Sequence, residues 1–140
     1  MTRIFLTIAA VFALSLPLRA QTTTVMPDPG IEAVISQQME AFKAEDFDRA
    51  FSFASPTIQG VFGSSERFRN MVVTGYPMVH HPQEVQFLEL RSIGGQVWQK
   101  VLVKDAAGVY YALDYQMVQS PEGGWQINGV QLLKAEQLGA

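Results

Sequence analysis

No cysteine occurs among the 140 residues, so disulfides, thiolate nucleophiles and sulfur metal ligands are all excluded. Histidine is nearly as scarce, with two residues adjacent at His80 and His81 in "GYPMVHHPQEV". No apolar run reaches the roughly 20 residues that a bilayer-crossing helix needs. An excess of basic charge is missing too: the formal net charge is −3. Nucleic acid and anionic lipid surfaces are therefore poor partners. Without bridges, stability has to come from packing.

What is present begins with "MTRIFLTIAAVFALSLPLRA". A basic Arg3, an apolar stretch from Ile4 to Leu18 and the small Ala20 form the pattern of a secretory signal peptide, expected to be cleaved near Ala20. The polar "QTTT" that follows is no stop-transfer flank. The expected organisation is a signal peptide over 1–20, a short linker over 21–28 and one domain over 29–140. A periplasmic or secreted location follows, with no membrane association after cleavage. Without Arg3 and Arg19, eight basic residues face thirteen acidic ones, a charge of about −5.

The first half of the remaining chain has helical periodicity. Asp28 and Pro29 make a cap and first-turn pair ahead of Ile31, Val34, Ile35, Met39 and Phe42, which fall on one face. Asp46 restarts the pattern, with Phe47, Ala50, Phe51 and Ala54 on one side and Pro56 closing it. "SPTIQGVFG" predicts a short helical turn, and "SSERFRNMVVTG" a further helix capped by Ser64 or Ser65 and ended by Gly75. The helical half is expected to stop at "GYP". Phe42, Phe47, Phe51, Phe62 and Phe68 are read as core rather than as a ligand box.

After Pro82 the period becomes two, in "EVQFLELRS", "QVWQKVLVK", "VYYALDYQMVQ" and "WQINGVQLLKA". These predict a four-stranded meander. A loop of Ala106, Ala107 and Gly108 would pair Asp105 with Val109, and the register would set Val103 opposite Tyr111, Val101 opposite Leu113, Gln99 opposite Tyr115 and Val97 opposite Met117 on the helix-covered side. Lys100 then lies across from Asp114 on the outer face, beside Trp98 and Tyr110. Parity carried onward places Trp125, Ile127 and Gln131 on the helix side. The first hairpin is open: a two-residue Gly94, Gly95 turn and a three-residue turn that includes Ile93 give opposite faces to Phe87, Leu88 and Glu89.

Helices followed by an antiparallel meander imply an α+β fold, with N-terminal helices packed on a curved, cone-like, four-stranded sheet. The segments "AFKAEDFDRAFSFASPTIQ", "FGSSERFRNMVVTGYPMV" and "YQMVQSPEGGWQINGVQLL" carry a resemblance to the bacterial family called domain of unknown function 4864, over about residues 30 to 135. That family in turn resembles the nuclear-transport-factor-two-like, SnoaL-like or cystatin-like folds, in which a conical sheet wraps helices and often leaves a cavity. The resemblance implies no activity. It also gives no role to His80 and His81, which stand after "YPMV" where an aromatic and a basic residue are expected.

Pro82 favours an extended His81, which would turn neighbouring imidazoles to opposite sides, so no metal site is expected and no cofactor is implied. A catalytic base could come from Asp114, Glu89 or His80, with a tyrosine as donor, in a cavity enzyme of isomerase or hydrolase type. The helix side otherwise offers hydrogen-bonding groups: Tyr76, Met78, Gln99, Tyr111, Tyr115 and Gln131 are the candidate lining for a small amphipathic ligand or a partner segment. The outer face, with Trp98, Lys100, Tyr110 and Asp114, is the candidate surface for a homodimer or a protein partner. A noncatalytic binding or accessory protein of the periplasm is the leading reading, ahead of the cavity enzyme and the structural dimerising domain.

Overall fold

A computed structural model describes residues 21–133. The expected signal peptide lies outside the described residues. Five helices and five strands follow one another as β1 (Thr22–Val25), α1 (Pro29–Lys43), α2 (Phe47–Ser52), α3 (Pro56–Phe62), α4 (Ser65–Gly75), α5 (Pro77–His80), β2 (Glu84–Ile93), β3 (Gln96–Lys104), β4 (Tyr110–Gln119) and β5 (Trp125–Leu132). The sheet is antiparallel and open, in the order β1-β2-β3-β4-β5.

Side-chain caps start the helices where the sequence places them. Asp28 accepts from the Gly30 amide at 2.8 Å, Asp46 from Arg49 and Ser64 from Arg67. Each satisfies an amide that the first helical turn leaves unpaired. A Cβ at Gly30 would crowd both cap and sheet, standing 3.1 Å from Asp28 Oδ1 and 3.2 Å from Trp125 Cδ1. The "SPTIQGVFG" segment is a full helix, α3, capped by Ser55 and ended by Gly63 in the left-handed conformation. Contrary to expectation, "GYP" does not end the helical half. Pro77 opens one more turn, α5, with its ring in the first-turn position that tolerates proline.

A fifth strand is the main departure from the expected meander. Thr22–Val25, expected as linker, pairs antiparallel with β2 at the sheet edge, and its side chains are exposed. The β3–β4 register is as expected, from Val97 opposite Met117 to Val103 opposite Tyr111, and Asp105 closes its loop through the Val109 carbonyl at 2.9 Å. The first hairpin uses the two-residue turn, Ile93 opposite Gln96, with Gly94 and Gly95 both at positive φ. An irregularity between Phe87 and Leu90 then puts both residues opposite helix-side partners, Val101 and Gln99.

α1 lies on the sheet through Ile31, Ile35, Met39 and Phe42, which meet Val101, Val103, Leu113, Tyr115 and Met117 in one core. A parallel bridge between Ala54 and Ile127 ties the end of α2 to β5, with Ser55 N donating to Ile127 O and Ile127 N to Phe53 O. Burial of this apolar face, at about 25 cal/mol per Å² removed from water, holds the layers together.

Candidate functional site

A cavity of about 370 Å³ lies between the helices and the sheet and opens to solvent. Its walls come from every layer: Gln38 and Phe42 of α1, Ile58 and Phe62 of α3, Phe68, Met71 and Val72 of α4, and Tyr115, Ile127 and Val130 of the sheet. Tyr76 and Val79 border it where α4 passes into α5. Packing explains the gap. Phe68 packs between Phe42 and Phe62, with centroids 5.9 and 5.6 Å away, which props α3 and α4 over the sheet instead of letting them collapse onto it.

The lining is aliphatic and aromatic with a few polar groups. Tyr115 is 1% exposed, and its phenol is pushed far above the usual range, first by burial and then by neighbouring Tyr76. It is therefore a neutral hydroxyl at any physiological pH. Tyr76 spends its own hydroxyl on the Val130 carbonyl at 3.2 Å, and the Gln38 amide nitrogen donates to Ala50 O, also at 3.2 Å. Among the described residues, no carboxylate, imidazole, ammonium or guanidinium lines the cavity.

Of the six side chains expected to form a ligand site, Tyr76 and Tyr115 line the cavity and four do not. Met78 is buried in the core. Gln99 is buried, with its amide nitrogen held by the carbonyls of Leu88 and Lys100 at the β2 irregularity. Tyr111 is half-buried near Asp105, its phenol raised by desolvation and by that carboxylate. Gln131 is exposed and pairs with Asp114 on the outer side. The cause is a register shift between Gln116 and Met117, opposite Gly129 and Ile127, which absorbs Asn128 and reverses parity along β5. Val130, not Gln131, consequently faces Tyr115 and the cavity.

The three candidate bases also stand away from the cavity. Asp114 keeps its expected position opposite Lys100 but does not pair with it. Instead Arg91 of β2 reaches across β3, with Nη1 3.3 Å from Oδ2 and Nη2 against both carboxylate oxygens. Both residues are buried, at 8% exposure each, so the expected solvated pair is a buried one. Lys100 turns to Glu89, 3.6 Å away, which fixes Glu89 on the outer side and removes the inward alternative. Tyr110 is exposed under the Lys104 ammonium, and Trp98 is half-buried.

His80 and His81 are not splayed. His80 is the last residue of α5 and therefore helical, while His81 has φ −134° and ψ 65°, so both rings leave the chain on one side with centroids 3.9 Å apart. Both imidazoles turn toward Glu45, which follows α1.

Phe42, Phe62 and Phe68 had the right spacing for core, and they are core and cavity wall together. Nothing in periodicity separates the two roles. Among the described residues no helix is long and apolar enough to cross a membrane. No curated protein matches the chain. A match does extend over residues 25–140 to the family described as a domain of unknown function, DUF4864, and the chain belongs to that family.

Proposed function

We propose that this chain is an exported, noncatalytic binding protein that holds one small, mainly apolar molecule between its helices and its sheet. The observation that carries this reading is the cavity, mainly apolar, in which the polar lining groups Gln38 and Tyr76 are turned to backbone carbonyls and the buried Tyr115 hydroxyl cannot ionise near neutral pH. Such a lining selects for shape and hydrocarbon content. The neutral Tyr115 donor adds preference for a ligand with a hydrogen-bond acceptor, a carbonyl or ether oxygen. The volume, about 370 Å³, suits a molecule smaller than most cofactors. Proton-transfer chemistry would need a base within hydrogen-bond reach of the ligand, and among the described residues the ionisable groups of the walls are tyrosines. Helices laid on a curved antiparallel sheet around a cavity are also what a nuclear-transport-factor-two-like fold would have, and we adopt that kinship as part of the proposal. Export rests on the basic, apolar and small-residue order of the first 20 residues.

Native mass spectrometry of protein recovered from the periplasm of an expressing cell tests both parts. The expected species begins after Ala20 and carries one small extra mass that is lost on denaturation. Tyr115→Phe should weaken retention about tenfold, the equivalent of one hydrogen bond. A bare protein from every growth condition would overturn the binding reading, and an uncleaved cytoplasmic chain would overturn export.

A further inference from the structure

The joint between α1 and α2 contains a residue in an unfavourable conformation. Glu45 has φ 59°, the single non-glycine residue at positive φ in the described chain. It closes α1 in a Schellman arrangement, with Glu45 N donating to Phe42 O and Asp46 N to Ala41 O. Glycine usually fills that position, because a side chain in the left-handed region costs about 1–2 kcal/mol. A glutamate there calls for a reason, and the direction of its side chain supplies one.

Glu45 Oε1 lies 2.7 Å from His80 Nε2 and 3.6 Å from His81 Nε2. The donor atoms of all three residues lie within 4.8 Å of one another. A hydrogen bond would need one imidazole, whereas here two ring nitrogens converge on the same carboxylate oxygen. The first is held in place: His80 packs on Phe47, centroids 5.6 Å apart, and its side chain is 12% exposed. His81 stacks on His80 at 3.9 Å, while Glu45 is about half exposed and free to adjust.

We propose that Glu45, His80 and His81 form a binding site for a divalent first-row transition ion of the zinc type. Two imidazoles and one carboxylate suit zinc, nickel, cobalt or copper better than the hard ions magnesium and calcium, which prefer oxygen ligands. Ligand bonds of about 2.0–2.2 Å at tetrahedral angles require donor separations of roughly 3.3 Å. The His80–Glu45 distance must open slightly to admit the ion, and a turn of the exposed Glu45 side chain is enough. With three protein ligands the remaining coordination position is open to water or to a group from another molecule. The site lies outside the cavity walls, so it stands or falls independently of the proposed ligand.

Zn²⁺ alone is the probe, titrated by calorimetry into untagged protein that has been stripped with EDTA. One equivalent should bind, with a dissociation constant on the order of 10 µM, weaker than a four-ligand structural site. The melting temperature should rise by several degrees in a hundredfold excess over that constant. His81→Ala and Glu45→Gly alter exposed side chains, the second into the residue the backbone prefers, so both variants should fold. Each should weaken Zn²⁺ at least tenfold. Absence of saturable binding up to about 1 mM, unchanged binding in both variants, or equal binding of Mg²⁺ would overturn the proposal.

Discussion

Tyr115 sets the chemistry of the cavity because it is a buried acid that keeps its proton. Its phenol is raised above the ordinary tyrosine value of 10.0 by burial and by Tyr76, so above pH 10 the unfolded chain releases a proton that the folded chain retains. Folded protein then binds more protons than unfolded protein, and stability must fall as pH rises. The contribution is complete below pH 10 and is lost progressively above it, at about 1.4 kcal/mol per pH unit for one proton. Tyr115→Phe should remove that slope. Urea unfolding followed from pH 9 to pH 11.5 should show the wild-type midpoint falling more steeply than the variant's. Parallel slopes would mean that the hydroxyl ionises in the folded state, and a neutral donor would then be the wrong description of the cavity. Glu45 shows the opposite balance, with a strained backbone kept at a position where its carboxylate meets two imidazoles.

At the scale of elements, the sheet is pinned by an ion pair between strands that are not neighbours. Arg91 of β2 spans β3 to reach Asp114 of β4, and its buried Nε has no hydrogen-bond partner among the described residues. Removing one member strands the other charge in a place poor in water. Asp114→Ala should therefore cost about 3–5 kcal/mol, and the joint replacement Arg91→Met with Asp114→Leu should recover most of it. Urea midpoints of the two variants decide this, and a loss below about 1 kcal/mol for Asp114→Ala would class the pair with exposed ones. This pair also marks where sequence reading ended. Helix starts were legible because Asp28, Asp46 and Ser64 announce them locally, and the β3–β4 register followed from one glycine-containing loop. The bulge near Leu88 was not, since one extra residue reverses parity without any residue type to signal it, and near Asn128 the signal is limited to Gly129 inside the strand. Gln131 and Val130 exchanged sides for that reason. Strand β1 escaped because "TTTV" shows no apolar alternation, and Arg91 was never paired with Asp114 because strand patterns report adjacent neighbours only. The helical turn after Pro77, which swings His80 beside His81, lay beyond a rule that proline applies only to the residue before it.

Taken whole, the molecule is two layers that are unequally joined. α1 buries six residues, Ile31, Ile35, Met39 and Phe42 among them in the core shared with the sheet, whereas α4 buries Phe68 and Val72 and α3 buries none. The cavity lies beneath α3 and α4, so that side has lost the contacts that filled space would give. Opening there should cost less than unfolding the sheet, which makes the α3–α4 arm the expected entry for the proposed ligand. Native-state hydrogen exchange should resolve two classes of amide. Those of α3 and α4 should exchange through an opening of lower free energy than those of β3 and β4, whose strands share the core with α1. An occupant of the cavity should slow the first class and leave the second near the global limit, because it binds the closed arm and is released by the open one. Equal protection in both classes would mean that the layers open only together, and the entry route would then have to be the static mouth of the cavity.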